Sequence, residues 1–127
     1  MTHNFAWLDE PIRQAGFFTT HQSLEYGETR CICASKRRSD GRGLTGNSFW
    51  VCSVGKDWFV GVWSGFVYKF PNKKFIVPFC IEFLRRHPDE TMGIVDDDLR
   101  GEYELSLLSD AEQGQIFGNS SSDEAET

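Results

Sequence analysis

The chain has 127 residues, with 13 lysines and arginines against 19 aspartates and glutamates, and a formal net charge of −6. That length fits one domain of about 100–150 residues, large enough to hold a core without disulfides or metal. Hydrophobic residues at 39% and aromatics at 14% exclude a wholly disordered chain, and no apolar run approaches the roughly 18 residues of a membrane span.

The net charge conceals a polarity. Residues 1–88 carry 12 basic and 7 acidic side chains, whereas residues 89–127 carry one basic side chain, Arg100, and 12 acidic ones. A body of +5 is thus joined to a C-terminal third of −11. Residues 1–10 show no basic stretch followed by an apolar one, so no secretory signal is expected and the expected location is cytoplasmic.

The first predicted element is a short helix. Asp9 suits its N-cap, Pro11 its first turn and Gly16 its stop, with Leu8, Ile12 and Ala15 on one face. Residues 19–27 read as a polar loop. Residues 29–35 alternate as a strand with Cys31 and Cys33 on one face. A polar loop over 36–47 leads to a second strand over 48–54, where Trp50, Cys52 and Val54 share a face. Two further strands are predicted over 58–63 and 66–70, joined by Ser64-Gly65.

A second helix follows from Pro78, with Phe79, Cys80, Phe83, Leu84 and His87 on one side. Arg85 and Arg86 complement its C-terminal dipole, and Pro88 ends it. Asp96, Asp97 and Asp98 complement the N-terminus of a third helix over 97–103, and Leu105, Leu107 and Leu108 read as a last extended piece. The pattern is α+β: a four-stranded antiparallel meander with two or three short helices packed on one face. The domain is expected over 1–109, followed by an acidic, disordered tail over 110–127.

Four sets of residues bear on chemistry. Cys31, Cys33 and Cys52 are the alternative for a metal- or thiol-dependent enzyme, with His21 and His87 as the available bases. Side chains two apart on a strand stand parallel rather than converging, which favours buried free thiols. The run Gly41 to Gly46 matches G-x-G-x-x-G, but a strand follows it where a dinucleotide site needs a helix, so it reads as a hairpin loop. Lys36, Arg37, Arg38 and Arg42 make that loop basic and define the nucleic-acid alternative; a sequence pI near 5.0 weighs against it. The aromatic stretch 58–70 reads mainly as core.

In size and composition the chain resembles small, acidic, aromatic-rich bacterial α+β proteins, immunity proteins that neutralise toxins among them. The likeness implies a protein partner. The preferred reading is a non-enzymatic protein–protein interaction module, of immunity or inhibitor type, that binds a basic partner through its acidic C-terminal third. Asp96, Asp97, Asp98, Glu102 and Glu104 supply the charge, and Trp58 and Trp63 the apolar anchors. No cofactor and no membrane contact are expected.

Overall fold

A computed structural model describes residues 5–23, 29–39, 41, 43–62, 65–89 and 94–117. Of the residues singled out above, Arg42, Trp63, Ser64 and the tail beyond residue 117 lie outside the described ones. The fold is α+β, with six antiparallel strands rather than four. The strands are β1 (Phe18–Ser23), β2 (Thr29–Arg37), β3 (Leu44–Val54), β4 (Asp57–Gly61), β5 (Val67–Lys69) and β6 (Ser106–Leu107), and their order in the sheet is their order in the chain. The helices are α1 (Ala6–Gln14), α2 (Ile76–Arg86), α3 (Asp97–Glu102) and α4 (Asp110–Phe117). No helix is long and apolar enough to cross a membrane among the described residues.

Helix α1 begins three residues before the expected cap. Phe5 is the N-cap residue and Asp9 lies inside the first turns. Leu8 and Ile12 point at the sheet from one helical face, and Asp9 beside Leu8 is carried inward with them. The stop is the expected one. Gly16 takes φ +94°, its N–H donates to the Arg13 carbonyl, and the Phe17 N–H donates to that of Ile12. This double bond over a left-handed glycine satisfies two carbonyls that the helix end would orphan.

Residues 18–23 form an edge strand where a loop was expected. Its pairing to β2 runs from Phe18 opposite Ala34 to Ser23 opposite Thr29. Thr20, His21, Gln22 and Ser23 are all exposed, so polar residues occupy successive positions and no apolar alternation marks the strand. The β2–β3 ladder also extends into the expected loop, pairing Lys36 with Thr45 and Arg37 with Leu44 past an irregularity at Ser35. The second half of the glycine run, Leu44 to Gly46, is therefore the start of β3, and only its first half lies in the hairpin connection.

Strand parity divides the side chains between two layers. On one face Cys31, Cys33, Phe49, Val51, Val60, Tyr68 and Phe70 join Leu8 and Ile12 of α1, Phe79, Cys80, Phe83 and Leu84 of α2, and Leu99 of α3. At about 25 cal/mol per Å² of apolar surface removed from water, this layer is the main source of stability. On the opposite face Cys52, Phe59, Val67 and Leu108 form a smaller core. Helix α4 covers it through Ile116 and Phe117, and the Phe117 ring meets Trp50 and Phe59 edge-on, at 5.8 and 5.3 Å.

Helix α4 stands where a disordered tail was expected from Asp110. The Ser109 N–H donates to Glu112 Oε1 at 2.8 Å, and the Glu112 N–H donates to Ser109 Oγ at 3.1 Å. This reciprocal capping satisfies donors at the helix start, and the Ser109-x-x-Glu112 spacing is its sequence signature. The expected helix at the aspartate run is present: Asp96 caps α3 by accepting from the Leu99 N–H at 3.3 Å, and Asp97 and Asp98 occupy the first turn.

Candidate functional site

The acidic residues of the C-terminal third divide into two sets. Asp96 and Glu102 are engaged within the chain. Besides capping α3, Asp96 Oδ1 lies 2.9 Å from His87 Nε2 at the end of α2. Glu102 Oε1 accepts from Arg86 Nη2 at 3.2 Å, and Arg86 also bonds Glu82 at 2.7 Å. Asp97, Asp98 and Glu104 are exposed. Glu104 takes φ +55° in the turn from α3 into β6.

Apolar surface gathers in the same region. Among the described residues the large exposed apolar side chains are Phe66, Ile94 and Leu107, at 39%, 45% and 37% of full exposure. Their segments meet at Tyr68. Phe66 leads into β5, Leu107 is the register partner of Tyr68, and the N–H of Val95, next to Ile94, donates to the Tyr68 hydroxyl at 3.2 Å. The β6 edge of the sheet thus belongs to a stretch, 94–108, that carries the exposed Ile94 and Leu107 and the exposed carboxylates of Asp97, Asp98 and Glu104. Trp58 is not part of this patch. It is half-buried beside α1, its ring edge-on to Trp7 at 5.3 Å and to Phe5 at 6.3 Å, with the Lys73 ammonium 5.5 Å from its centre.

The basic hairpin is partly neutralised by the chain itself. Lys36 Nζ donates to Asp89 at 2.8 Å, and the Arg37 guanidinium lies over the Phe18 ring at 5.2 Å. Arg38 donates its N–H to the Gly43 carbonyl across the turn. The Lys36–Asp89 and Arg86–Glu102 pairs join the basic body to the acidic third. Both are solvent-exposed, and such pairs contribute little to stability.

The cysteines do not gather as Cys31, Cys33 and Cys52. Cys31 opposes Val51 in the ladder, so Cys52, one residue on, points to the opposite face and the smaller core. The companion of Cys33 is instead Cys80 of α2. Cys31 sits beside Asp9 and His21. Asp9, 7% exposed, accepts from Thr19 Oγ1 at 2.8 Å, lies 2.9 Å from His21 Nε2 through Oδ2, and accepts from the Cys31 thiol at 3.7 Å through Oδ1. The Cys31 thiol is pushed far above its ordinary range, first by its bond to Cys33, then by burial and the neighbouring Asp9 charge. Its bond to Cys31 lowers Cys33, but the Cys80 bond and burial outweigh this and raise it. A nucleophilic cysteine needs a base at its sulfur and thiolate character. Here the imidazole Nε2 faces the carboxylate, and the bond to Cys33, burial and the Asp9 charge oppose ionisation of the thiol.

This carboxylate–imidazole–thiol cluster was not foreseen in the sequence. Successive members stand 12 and 10 residues apart on α1, β1 and β2, with no motif spacing between them. Asp9 alone reads as a cap, and His21 lies in a stretch that reads as loop. Comparison with protein-family models, curated proteins and solved structures finds no match for this chain.

Proposed function

We propose that the protein is a non-catalytic interaction module that captures a basic protein partner at the β6 edge of its sheet. One observation carries this reading: the exposed apolar side chains Phe66, Ile94 and Leu107 belong to segments meeting at Tyr68, and the exposed carboxylates of Asp97, Asp98 and Glu104 lie in the chain between Ile94 and Leu107. Apolar groups at the centre of a contact supply most of its affinity, and complementary charge around them raises the association rate. The two-residue strand β6 also ends the sheet, where an extended partner segment can add by backbone pairing. An inhibitor or immunity-type protein would use such a surface to mask the basic face of its target. The basic hairpin has the weaker claim, because Lys36 is already paired and Arg37 stacks on Phe18.

Capture from extracts of the source cell tests the reading. The wild-type chain is expected to retain a basic protein, with less retained as salt rises, because exposed charge is screened within about 10 Å at 0.1 M ionic strength. The triple variant Asp97→Asn, Asp98→Asn, Glu104→Gln is expected to retain at least about tenfold less, a loss of roughly 1.4 kcal/mol. Leu107→Ser, exposed and so tolerated by the fold, is expected to act in the same direction. Equal retention by wild type and both variants contradicts the proposal.

A further inference from the structure

We propose that Asp9, His21 and Cys31 form a binding site for one divalent transition-metal ion of zinc type, with a fourth position open to water. The site is independent of the β6 edge and its argument is geometric. His21 and Cys31 are direct register partners on adjacent strands, so both side chains leave the same face of the sheet at the same level. Asp9 reaches down on them from α1. One ligand atom from each residue lies within 4.8 Å of the other two. Ligands bound to zinc at about 2.0–2.3 Å in a tetrahedral site are spaced roughly 3.3–3.8 Å apart. From Asp9 Oδ1 the His21 Nε2 lies at 3.1 Å and the Cys31 sulfur at 3.7 Å, so these spacings need adjustments on the order of 1 Å or less.

The surroundings suit an ion better than a bare hydrogen-bonded cluster. Asp9 is a buried carboxylate, and its His21 partner balances its charge only when the imidazole is protonated. A buried anion is costly unless its charge is balanced. A divalent ion bound by one carboxylate and one thiolate makes a neutral assembly. The mixed oxygen, nitrogen and sulfur donors favour zinc over magnesium or calcium, which take oxygen ligands. Thr19 Oγ1, donating to Asp9 Oδ1, fixes the carboxylate's direction as the outer partners of metal ligands do. The His21 side chain is 43% exposed while Cys31 is wholly buried, which gives an entry path from the imidazole side. On binding, the Cys31 S–H bond breaks, a sulfur–metal bond forms and the proton leaves to water; the metal's oxidation state does not change.

Cobalt(II) titration of the full-length, metal-stripped chain under reducing conditions tests this. The expected result is a thiolate-to-cobalt charge-transfer band with intense four-coordinate ligand-field bands, saturating at one ion per chain and displaced by zinc. His21→Gln is expected to weaken cobalt binding at least about 100-fold, and Thr19→Val, a positioning change, about 10–100-fold. Cys31→Ser is expected to abolish the charge-transfer band. Cys52→Ser, on the opposite face, is expected to leave both band and affinity unchanged. Should the buried Cys31 variant fail to fold, the half-exposed His21→Gln still decides. No charge-transfer band at saturating cobalt, or undiminished affinity in His21→Gln, overturns the proposal and leaves a plain hydrogen-bonded cluster.

Discussion

Phe79→Ala is expected to lower the free energy of unfolding by about 3–5 kcal/mol, the range for deleting a fully buried aromatic side chain. Phe79 is wholly buried on the inner face of α2. Its ring centre lies 5.3 Å from that of Phe83, 5.5 Å from Phe70, 5.7 Å from Tyr103 and 6.1 Å from Phe49. It therefore links β3, the end of β5, α2 and the end of α3, and truncation removes transfer energy and leaves a cavity that four aromatic rings cannot close without moving. Edge-to-face pairs add about 0.5–1.5 kcal/mol beyond area burial. Against a total of about 5–15 kcal/mol for a domain, the loss brings the fold close to its limit. Urea denaturation followed by tryptophan fluorescence checks it; a midpoint unchanged from wild type refutes the assigned core.

Gly46→Ala is expected to cost about 3 kcal/mol by a different route. Gly46 takes φ +75°, which for a residue with a Cβ costs about 1–2 kcal/mol. An added Cβ would also sit 2.9 Å from the Pro88 carbonyl oxygen and against Ser35 Oγ. Ser35 Oγ donates to that carbonyl at 2.6 Å and accepts from the Asn47 N–H at 3.0 Å, so the methyl group would break the bridge between the β2–β3 hairpin and the end of α2. Overpacking of this kind adds about 1–3 kcal/mol. Gly55 supplies the comparison: it has φ +64° but open space around its Cβ direction, so Gly55→Ala is expected to cost only the backbone part, about 1–2 kcal/mol. Equal effects at the two positions would show that the contact at Gly46 has no weight. The glycine is thus required by packing under the hairpin, a reason that the G-x-G-x-x-G string does not reveal.

The parts legible in the sequence were those whose signal is local. Helix α2 declares its buried face at Phe79, Cys80, Phe83 and Leu84, α3 its aspartate cap, and α1 its glycine stop. Strands β2 to β5 follow from alternation and turn residues. Strand β1 was hidden because its residues from Thr20 to Ser23 are exposed whichever face they occupy, so no alternation marks it. The position of Cys52 depends on register parity, which a long hairpin connection leaves open in the sequence. Helix α4 carried a legible capping pair in Ser109 and Glu112, masked by the polar composition around it. The candidate site was only half legible. Charge segregation pointed to the C-terminal third, but the division between engaged Asp96 and Glu102 and exposed Asp97, Asp98 and Glu104 depends on where α2 ends. The Asp9 cluster exists only once three elements have packed.

Amide hydrogen exchange of the protein alone and with its captured partner tests the central claim most directly, because it reports where the partner sits. Slowed exchange is expected over residues 94–108, centred on the Leu105 to Leu108 segment of the β6 edge. Protection confined instead to the β1 edge or to the basic hairpin around Lys36 and Arg37, with residues 94–108 unchanged, would contradict the account.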